Sequence, residues 1–579
     1  MIQDQIAVLI HGAVLTAQES GTLPPFEAPS VEMTPVERPK QEGHGDFASP
    51  IAMQLASIAR RSPRQIADAI AAHIPTGEAS GGVLAGVEVA NPGFINLRLA
   101  PSWLAAQVDR VLSDGPGYAD LAIGQGKKAQ VEFISANPTG PLTVGHGRGA
   151  VLGDVLSSIL TAGGYKVTRE YYFNDGGLQM KNLAQSVRLR VQELQGGQDA
   201  FPGDLYQGEY IMDIARDLLA RHGDDVVDWD WTRLRDAAVS VIFADIRATL
   251  DRLGIHFDVY FNETTLYDRG RPGNLWEIVD GLRAAGLAYD AEGAVWFKAT
   301  EFGSDKDRVI IRSSGEPTYR LPDIAYHVDK IARGFDVIVD VLGADHVAQH
   351  PDIMAAVGAL KGQAERIHVV SHQFVTLVRD GAAVKMSTRK ATYVTLDELI
   401  DEVGVDAMRF FMVNRSADSQ FEFDLDLAKA RSDDNPAYYI QYAHARTAGI
   451  LDRTAPRYGI AYDEAADAAL LTHPAEIALI GCILRLEEVL AHAVARLEPH
   501  HLASYAVELA TRFATFYHDC RVLKPEDAPL SQARLKLVKV TRIALARTLD
   551  LLGMTAPDEM SRPATETDSV GENDEQPLF

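Results

Sequence analysis

A parallel-sheet α/β domain, preceded by a small α+β module and followed by a helical bundle, is the architecture the sequence predicts. Three observations carry it. A short apolar strand at 131–135 (VEFIS), a glycine-rich turn, a helix at about 149–162 and a second strand at 166–173 follow in the order of a right-handed βαβ unit. Apolar runs at 309–312, 337–342 and 368–370 resume that pattern. Beyond Asp424 the strand signals stop, and stretches such as 475–497 and 502–523 carry apolar residues at helical spacing.

The chain has 579 residues, more than one hydrophobic core organises, so several domains are expected. Residues 1–115 read as the α+β module: an initial helix, a Pro-rich loop from Leu23 to Pro39, a helix over 49–60, and a hairpin at 86–99. That hairpin, GVEVANPGFINLRL, alternates apolar and polar residues around an Asn-Pro-Gly turn. Residues 116–425 form the Rossmann-type sheet domain, with an insertion expected at about 176–305. Residues 426–560 form the helical domain. The last stretch, 561–579, is acidic and poor in apolar residues, so it is expected to be disordered.

Composition narrows the function classes. With 46% apolar and 23% charged residues, no bilayer-length apolar run, and an acidic rather than basic N-terminal flank, the expectation is a cytoplasmic protein with no membrane partner. Cys482 and Cys520 are too few for a disulfide framework or a cysteine-rich zinc site, and both lie in apolar helical stretches that favour plain burial. A net charge of -25 opposes general phosphate binding, so no DNA partner is expected and any RNA contact must be local.

The chemistry concentrates at 136–150, ANPTGPLTVGHGRGA, between a strand and a helix, where backbone N–H groups and a helix N-terminus converge on phosphate. Two active readings compete there. Gly145 to Ala150 fits G-x-G-x-x-A, with Glu170 about 20 residues on, as in a dinucleotide-binding dehydrogenase. Alternatively, Thr143-Val144-Gly145-His146 is a turn whose His donates to the α-phosphate of ATP. A second phosphate-handling element separates them. Val384 to Lys390 (VKMSTRK) places three cations within six residues of a polar loop at 384–391, suited to closing on a pyrophosphate leaving group. A dehydrogenase has no use for such a loop, so adenylyl transfer is the better reading.

At these residues the chain resembles class I aminoacyl-tRNA synthetases, whose HIGH and KMSKS motifs correspond to the turn and the loop. VEFISANPTGPLTVGHGRGAVLGD (131–154), REYYFNDGG (169–177), DNPAYYIQYAHAR (434–446) and LDLLGMTAP near the end resemble the arginyl-tRNA synthetases in particular, from about residue 40 to 560. Two positions depart from the motifs: Thr143 replaces the first His of HIGH, and Thr388 replaces the second Lys of KMSKS, leaving Arg389 or Lys390 to supply that cation.

The resemblance implies activation of L-arginine by ATP with Mg²⁺, then transfer to the terminal ribose 2′-hydroxyl of tRNA(Arg) by a monomeric ligase. It assigns catalysis to Thr143, His146, Lys385 and Ser387, and ATP binding to Pro138, Gly140, Gly145, Gly343, Asp345, His346, Lys385 and Met386. Arginine falls to Glu132, Ser135, Asn137, Tyr319 and Asp323, whose carboxylates suit a guanidinium fork. The helical domain resembles the anticodon-binding domain, with Tyr438, Tyr442 and Arg446, beside Tyr439 and His444, offered to tRNA bases. The N-terminal module resembles the part that touches the tRNA elbow. His346 and His350 make an H-x-x-x-H pair, but no third ligand has convincing spacing, so no metal site is expected. A small-molecule nucleotidylyltransferase would share the Thr-x-Gly-His turn but would not need so large a helical domain.

Overall fold

The structure is a computed structural model that describes residues 1–39, 43–197, 201–345, 347–384 and 394–560. In the N-terminal module, α1 (Ile2–Glu19) buries Ile6, Ile10, Val14 and Ala17 along one stripe. β1 (Phe47–Ser49) precedes α2 (Ile51–Ala59), and Ser62 caps α3 (Pro63–Ala71) by accepting from the Gln65 N–H. Ser49, expected at the start of a helix, is therefore the last residue of a strand. The hairpin forms as β2 (Leu84–Ala90) and β3 (Phe94–Leu99), and β1 pairs antiparallel with β3. Then α4 (Pro101–Asp114) leads into the central domain.

Five parallel strands make the central sheet, in the order β11-β10-β4-β5-β6. They are β4 (Lys128–Glu132), β5 (Lys166–Phe173), β6 (Val259–Asn262), β10 (Val337–Gly343) and β11 (Ile367–His372). β4 starts and stops three residues earlier than the sequence predicts, because Ile134 and Ser135 adopt left-handed φ values of 65° and 42°. α5 (Val144–Ala162) starts five residues earlier than expected. Its glycines are helical, and one serves close packing: a Cβ on Gly153 would lie 2.1 Å from the Phe133 ring.

The stretch 176–305 is not one insertion. α6 (Gly177–Leu194), α7 (Glu209–His222) and α8 (Trp231–Arg252) are the crossover from β5 to β6, and β6 rejoins the sheet. Only after β6 does the chain leave it, through α9 (Leu275–Ala284) and an antiparallel sheet of β7 (Ala288–Ala291), β8 (Ala294–Phe297) and β9 (Arg308–Ile311). The run at 309–312 thus belongs to this small sheet rather than the parallel one, as its pairing with β8 shows. α10 (Arg320–Ala332) returns to β10, and α11 (His350–Lys361) connects β10 to β11. Two apolar clusters cover the parallel sheet, one centred on α5 and the other on α9, α10 and α11.

β12 (Val375–Arg379) and β13 (Ala382–Ala383) form a hairpin that leads into the cationic segment, of which 385–393 lies outside the described residues. The chain reappears as α12 (Leu396–Val403), α13 (Val405–Val413), β14 (Phe421–Asp424) and α14 (Leu425–Lys429), with β14 parallel to β12. The helical domain follows as α15 (Pro436–Gly449), the short α16 (Ala455–Arg457), α17 (Pro474–Arg496), α18 (His500–Asp519) and α19 (Ala528–Leu551). Arg409 joins the parts. Fully buried, it pairs with Asp154 of α5 and donates to the carbonyls of Leu253 and Leu552. The expected disordered tail, 561–579, lies outside the described residues.

Candidate functional site

The carboxyl ends of β4, β5, β6 and β10 define one edge of the sheet, the place where open α/β sheets bind ligands. Glu132 ends β4. Its Oε1 accepts from Ser135 Oγ at 2.8 Å and its Oε2 from Lys330 Nζ at 2.5 Å. The left-handed turn at Ile134 and Ser135 aims that hydroxyl back at Glu132, where it also accepts from the Tyr172 N–H. Lys330, wholly buried on α10, also donates to Asp340, which is register partner to Glu132 across β10 and β4. Burial works to raise the Asp340 carboxyl, but Lys330 and then His327 outweigh it and hold it well below the usual range. His327 spans the Asp323 carbonyl, at 2.7 Å, and Asp340 Oδ2, at 2.8 Å.

Asp323 is different. It sits in the first turn of α10, and among the described residues no group donates a hydrogen bond to its carboxylate. It is partly accessible yet packed deeply enough that burial pushes its carboxyl up to about 7. His327 and Lys330 oppose that rise; Glu263 and Glu132 add to it. Glu263 was not singled out by the sequence. It follows β6 directly, accepts from the hydroxyls of Tyr172 at 3.0 Å and Tyr267 at 3.2 Å, and has its own carboxyl raised by burial. Tyr172 lies among Glu263, Asp323 and Glu132, so three carboxylates surround one spot with Lys330 serving only one of them. A short strand followed by a glutamate, VYFNE, was the available signal, and it lay inside the presumed insertion.

The turn expected to bind phosphate lies at the start of α5. Thr143 is its N-cap residue, and the Thr143 N–H donates to His146 Nδ1 at 3.0 Å. An acceptor Nδ1 puts the ring proton on Nε2, and burial lowers the His146 pKa, so the ring is a neutral donor at pH 7. The Thr143 hydroxyl meets the same Nδ1 at 3.1 Å. Gly145 is exposed beside it, while Pro138 is buried and Gly140 lies under the Tyr210 ring of α7. Val144 N–H donates to the Val394 carbonyl, and Leu396 N–H to the Leu142 carbonyl. The segment that leaves the cationic loop is thereby bound to the start of α5. Lys385, Met386 and Ser387 lie in the segment 385–393, outside the described residues, and so, separately, does His346.

Other expected residues scatter more widely. Asn137 is exposed after the β4 turn, and Tyr319 is 62% exposed at the start of α10. Gly343 closes β10, and Asp345 is exposed just after it. In α15, Tyr438 is buried and stacks on Tyr442 with ring centroids 6.0 Å apart. Arg446 lies over the rings of both Tyr442 and Tyr517. His444 is also buried and donates to the Pro557 carbonyl. Tyr438 and His444 are therefore core groups here, not faces offered to bases, because a helix that docks on two others has little free surface. His350 gains a neighbourhood the sequence did not show, with Asp340 and His327 close enough to share an ion.

Comparison with known proteins places this geometry. Three family models match successive parts of the chain: the arginyl tRNA synthetase N terminal domain over residues 2–99, the class I (R) tRNA synthetase catalytic domain over 107–422, and the DALR anticodon binding domain over 440–560. A protein of Desulfotalea psychrophila named arginine–tRNA ligase is 47% identical over 91% of this chain and 94% of its own length. One of the same name from Salinibacter ruber is 45% identical over 91% and 95%. The Thermus thermophilus arginyl-tRNA synthetase structure superposes with a TM-score of 0.73 at 22% identity, covering 95% of this chain and 99% of that one, which is agreement of fold. From the N-terminal module to the last helix, this chain belongs to the arginyl-tRNA synthetases of class I.

Proposed function

We propose that this chain activates L-arginine with ATP and passes the arginyl group to the terminal ribose 2′-hydroxyl of tRNA(Arg), and that Asp323 with Glu263 selects the guanidinium. The observation that carries the reading is the Asp323 carboxylate, packed among two other acidic groups and served by no donor of the described residues. A buried charge without a partner is costly unless a ligand supplies one. A planar cation does so with directed N–H groups.

The arginine carboxylate attacks the α-phosphorus of ATP, forming the mixed anhydride and releasing pyrophosphate. His146 donates from Nε2 to the phosphoryl oxygens as charge builds there, and the N-terminus of α5 adds its dipole. Thr143 acts on His146, fixing its tautomer through the backbone N–H and bracing the ring through the hydroxyl. ATP enters as its Mg²⁺ complex, an ion that keeps most of its waters and travels with the phosphates. Lys385 and Ser387 act from the cationic segment, whose continuation at Val394 to Leu396 is bonded to the start of α5, with Met386 and Gly343, Asp345 and His346 along the nucleotide. Ser135 and Asn137 flank the amino-acid end, and Tyr319 lies at the mouth. The enzyme works as a monomer in the cytoplasm.

ATP–pyrophosphate exchange with each of the twenty amino acids, with and without tRNA(Arg), tests this. Exchange is expected with arginine alone, and only when the tRNA completes the site. Equal exchange with lysine, or none with arginine and tRNA together, overturns the assignment.

A further inference from the structure

We propose that His492, Glu498 and His501 form a site for one divalent transition-metal ion, Zn²⁺ by its chemistry, on the turn between α17 and α18. His492 lies in the last turns of α17 and His501 in the first turn of α18. Both rings direct Nε2 at the same carboxylate oxygen, Glu498 Oε2, from 3.4 Å and 3.0 Å. The three ligand atoms all lie within 4.8 Å of one another.

Those separations suit coordination. With metal–ligand bonds of about 2.1 Å, adjacent ligand atoms lie about 3.0 Å apart in an octahedral site and about 3.4 Å in a tetrahedral one. Without an ion, two N–H groups crowd one oxygen. With it, both nitrogens and the carboxylate turn their lone pairs to a common centre. Two imidazoles and one carboxylate are a donor set for Zn²⁺, Co²⁺ or Ni²⁺, not for Mg²⁺ or Ca²⁺, which prefer oxygen alone. The side chains are 50%, 43% and 43% exposed, which leaves a path for entry and room for water on the remaining positions.

Charge favours this place over the other cluster of the same ligand types. His327, Asp340 and His350 also converge, but Lys330 sits on Asp340 at 2.5 Å and its ammonium would repel a dication. At the α17–α18 turn Glu498 and, near His500, Asp418 bring negative charge, set against the single cation Arg496 in the last turn of α17. The C-terminus of α17 adds partial negative charge of its own. His500 packs its ring against His501 at 4.1 Å. The bound ion would pin the two helices at their hinge.

The test uses the full chain, stripped with a chelator and titrated with Zn²⁺ by calorimetry and with Co²⁺ by its visible d–d absorption at about pH 7.5. One ion per chain is expected, with an affinity at least tenfold weaker in H501A and lost as a saturable class in the H492A/H501A pair. Melting of the metal-free variants matching that of the parent shows that folding is intact, since all three side chains are surface groups. H350A, which touches only the inner cluster, keeps the ion. Absence of saturable binding in the parent, or stoichiometric binding that survives in H492A/H501A, overturns the site.

Discussion

Because burial pushes the Asp323 carboxyl up to about 7, arginine affinity is expected to depend on pH across the neutral range. Only the ionised carboxylate grips a guanidinium, so the apparent Kd scales as one plus the ratio of protonated to ionised Asp323. With the pKa at about 7, that factor is about 11 at pH 6, about 2 at pH 7 and about 1.1 at pH 8. Arginine should therefore bind about tenfold more weakly at pH 6 than at pH 8, releasing close to one proton at pH 6. Equilibrium dialysis of labelled arginine against the enzyme–tRNA complex measures this. Asp323→Asn should flatten the dependence and weaken binding through loss of a charged bond worth about 1.5–3 kcal/mol. Stability moves the other way. A carboxyl raised in the folded state contributes stability that is full below its ordinary value of 3.8 and is lost as pH rises through about 7. At pH 8 the arginine-free Asn variant should thus be more stable than the parent, by on the order of a few kcal/mol at most, and melt at a higher temperature. An arginine Kd that changes less than twofold between pH 6 and 8, or a slope that persists in the Asn variant, refutes the assignment of the pocket to Asp323.

Three further substitutions test the start of α5 and the packing of Arg409 behind it. Thr143→Val removes the hydroxyl next to His146 but leaves the backbone N–H that sets its tautomer, so single-turnover adenylate formation should slow by less than about tenfold. His146→Ala, which removes the phosphate donor itself, should cost about 2.7–4 kcal/mol in the same assay; equal losses would place the threonine hydroxyl on the phosphate directly. Gly553→Ala would set a Cβ 1.9 Å from Arg409 Nη2 at a residue with φ of +66°, straining the backbone and the buried Arg409–Asp154 pair together. A loss of about 3 kcal/mol, seen as a lower melting temperature, is expected, whereas an unchanged melting temperature would mean that Arg409 moves aside freely.

The sequence was most readable where local pattern and tertiary role coincide. β5 runs over 166–173 as predicted, because a run rich in β-branched and aromatic residues just after a helix and a glycine turn has no competing reading. α5 was read late because its first turns hold Gly145, Gly147 and Gly149, and glycine argues for a turn unless a neighbour's approach is known. At Gly153 the approach of Phe133 supplies that knowledge only after folding. β4 was overrun for the opposite reason. Ile134 is β-branched and reads as strand, yet it takes a left-handed φ that such residues rarely adopt. That local cost places the Ser135 hydroxyl between Glu132 and the Tyr172 N–H, so the departure from pattern sits where the proposed amino-acid pocket begins. Glu263 had no local signature, since its neighbours Tyr172 and Asp323 are about 91 and 60 residues away in the chain.

What distinguishes this pocket from an ordinary acidic core is which carboxylates are already served. Lys330 bonds both Glu132 and Asp340, and Arg333 bonds Glu170, so each of those acids has a cation built into the fold. Glu263 receives two tyrosine hydroxyls, which orient its oxygens but bring no positive charge. Asp323 receives no donor from the described residues. A lysine substrate could neutralise one of these two, as a point charge with three rotating donors. A guanidinium presents a rigid fork to Asp323 and still has N–H groups for a second acceptor. On the proposed reading, selection of arginine over lysine would rest on two acids that the protein does not neutralise, and burial, only partly offset by His327 and Lys330, holds the Asp323 carboxyl up to about 7.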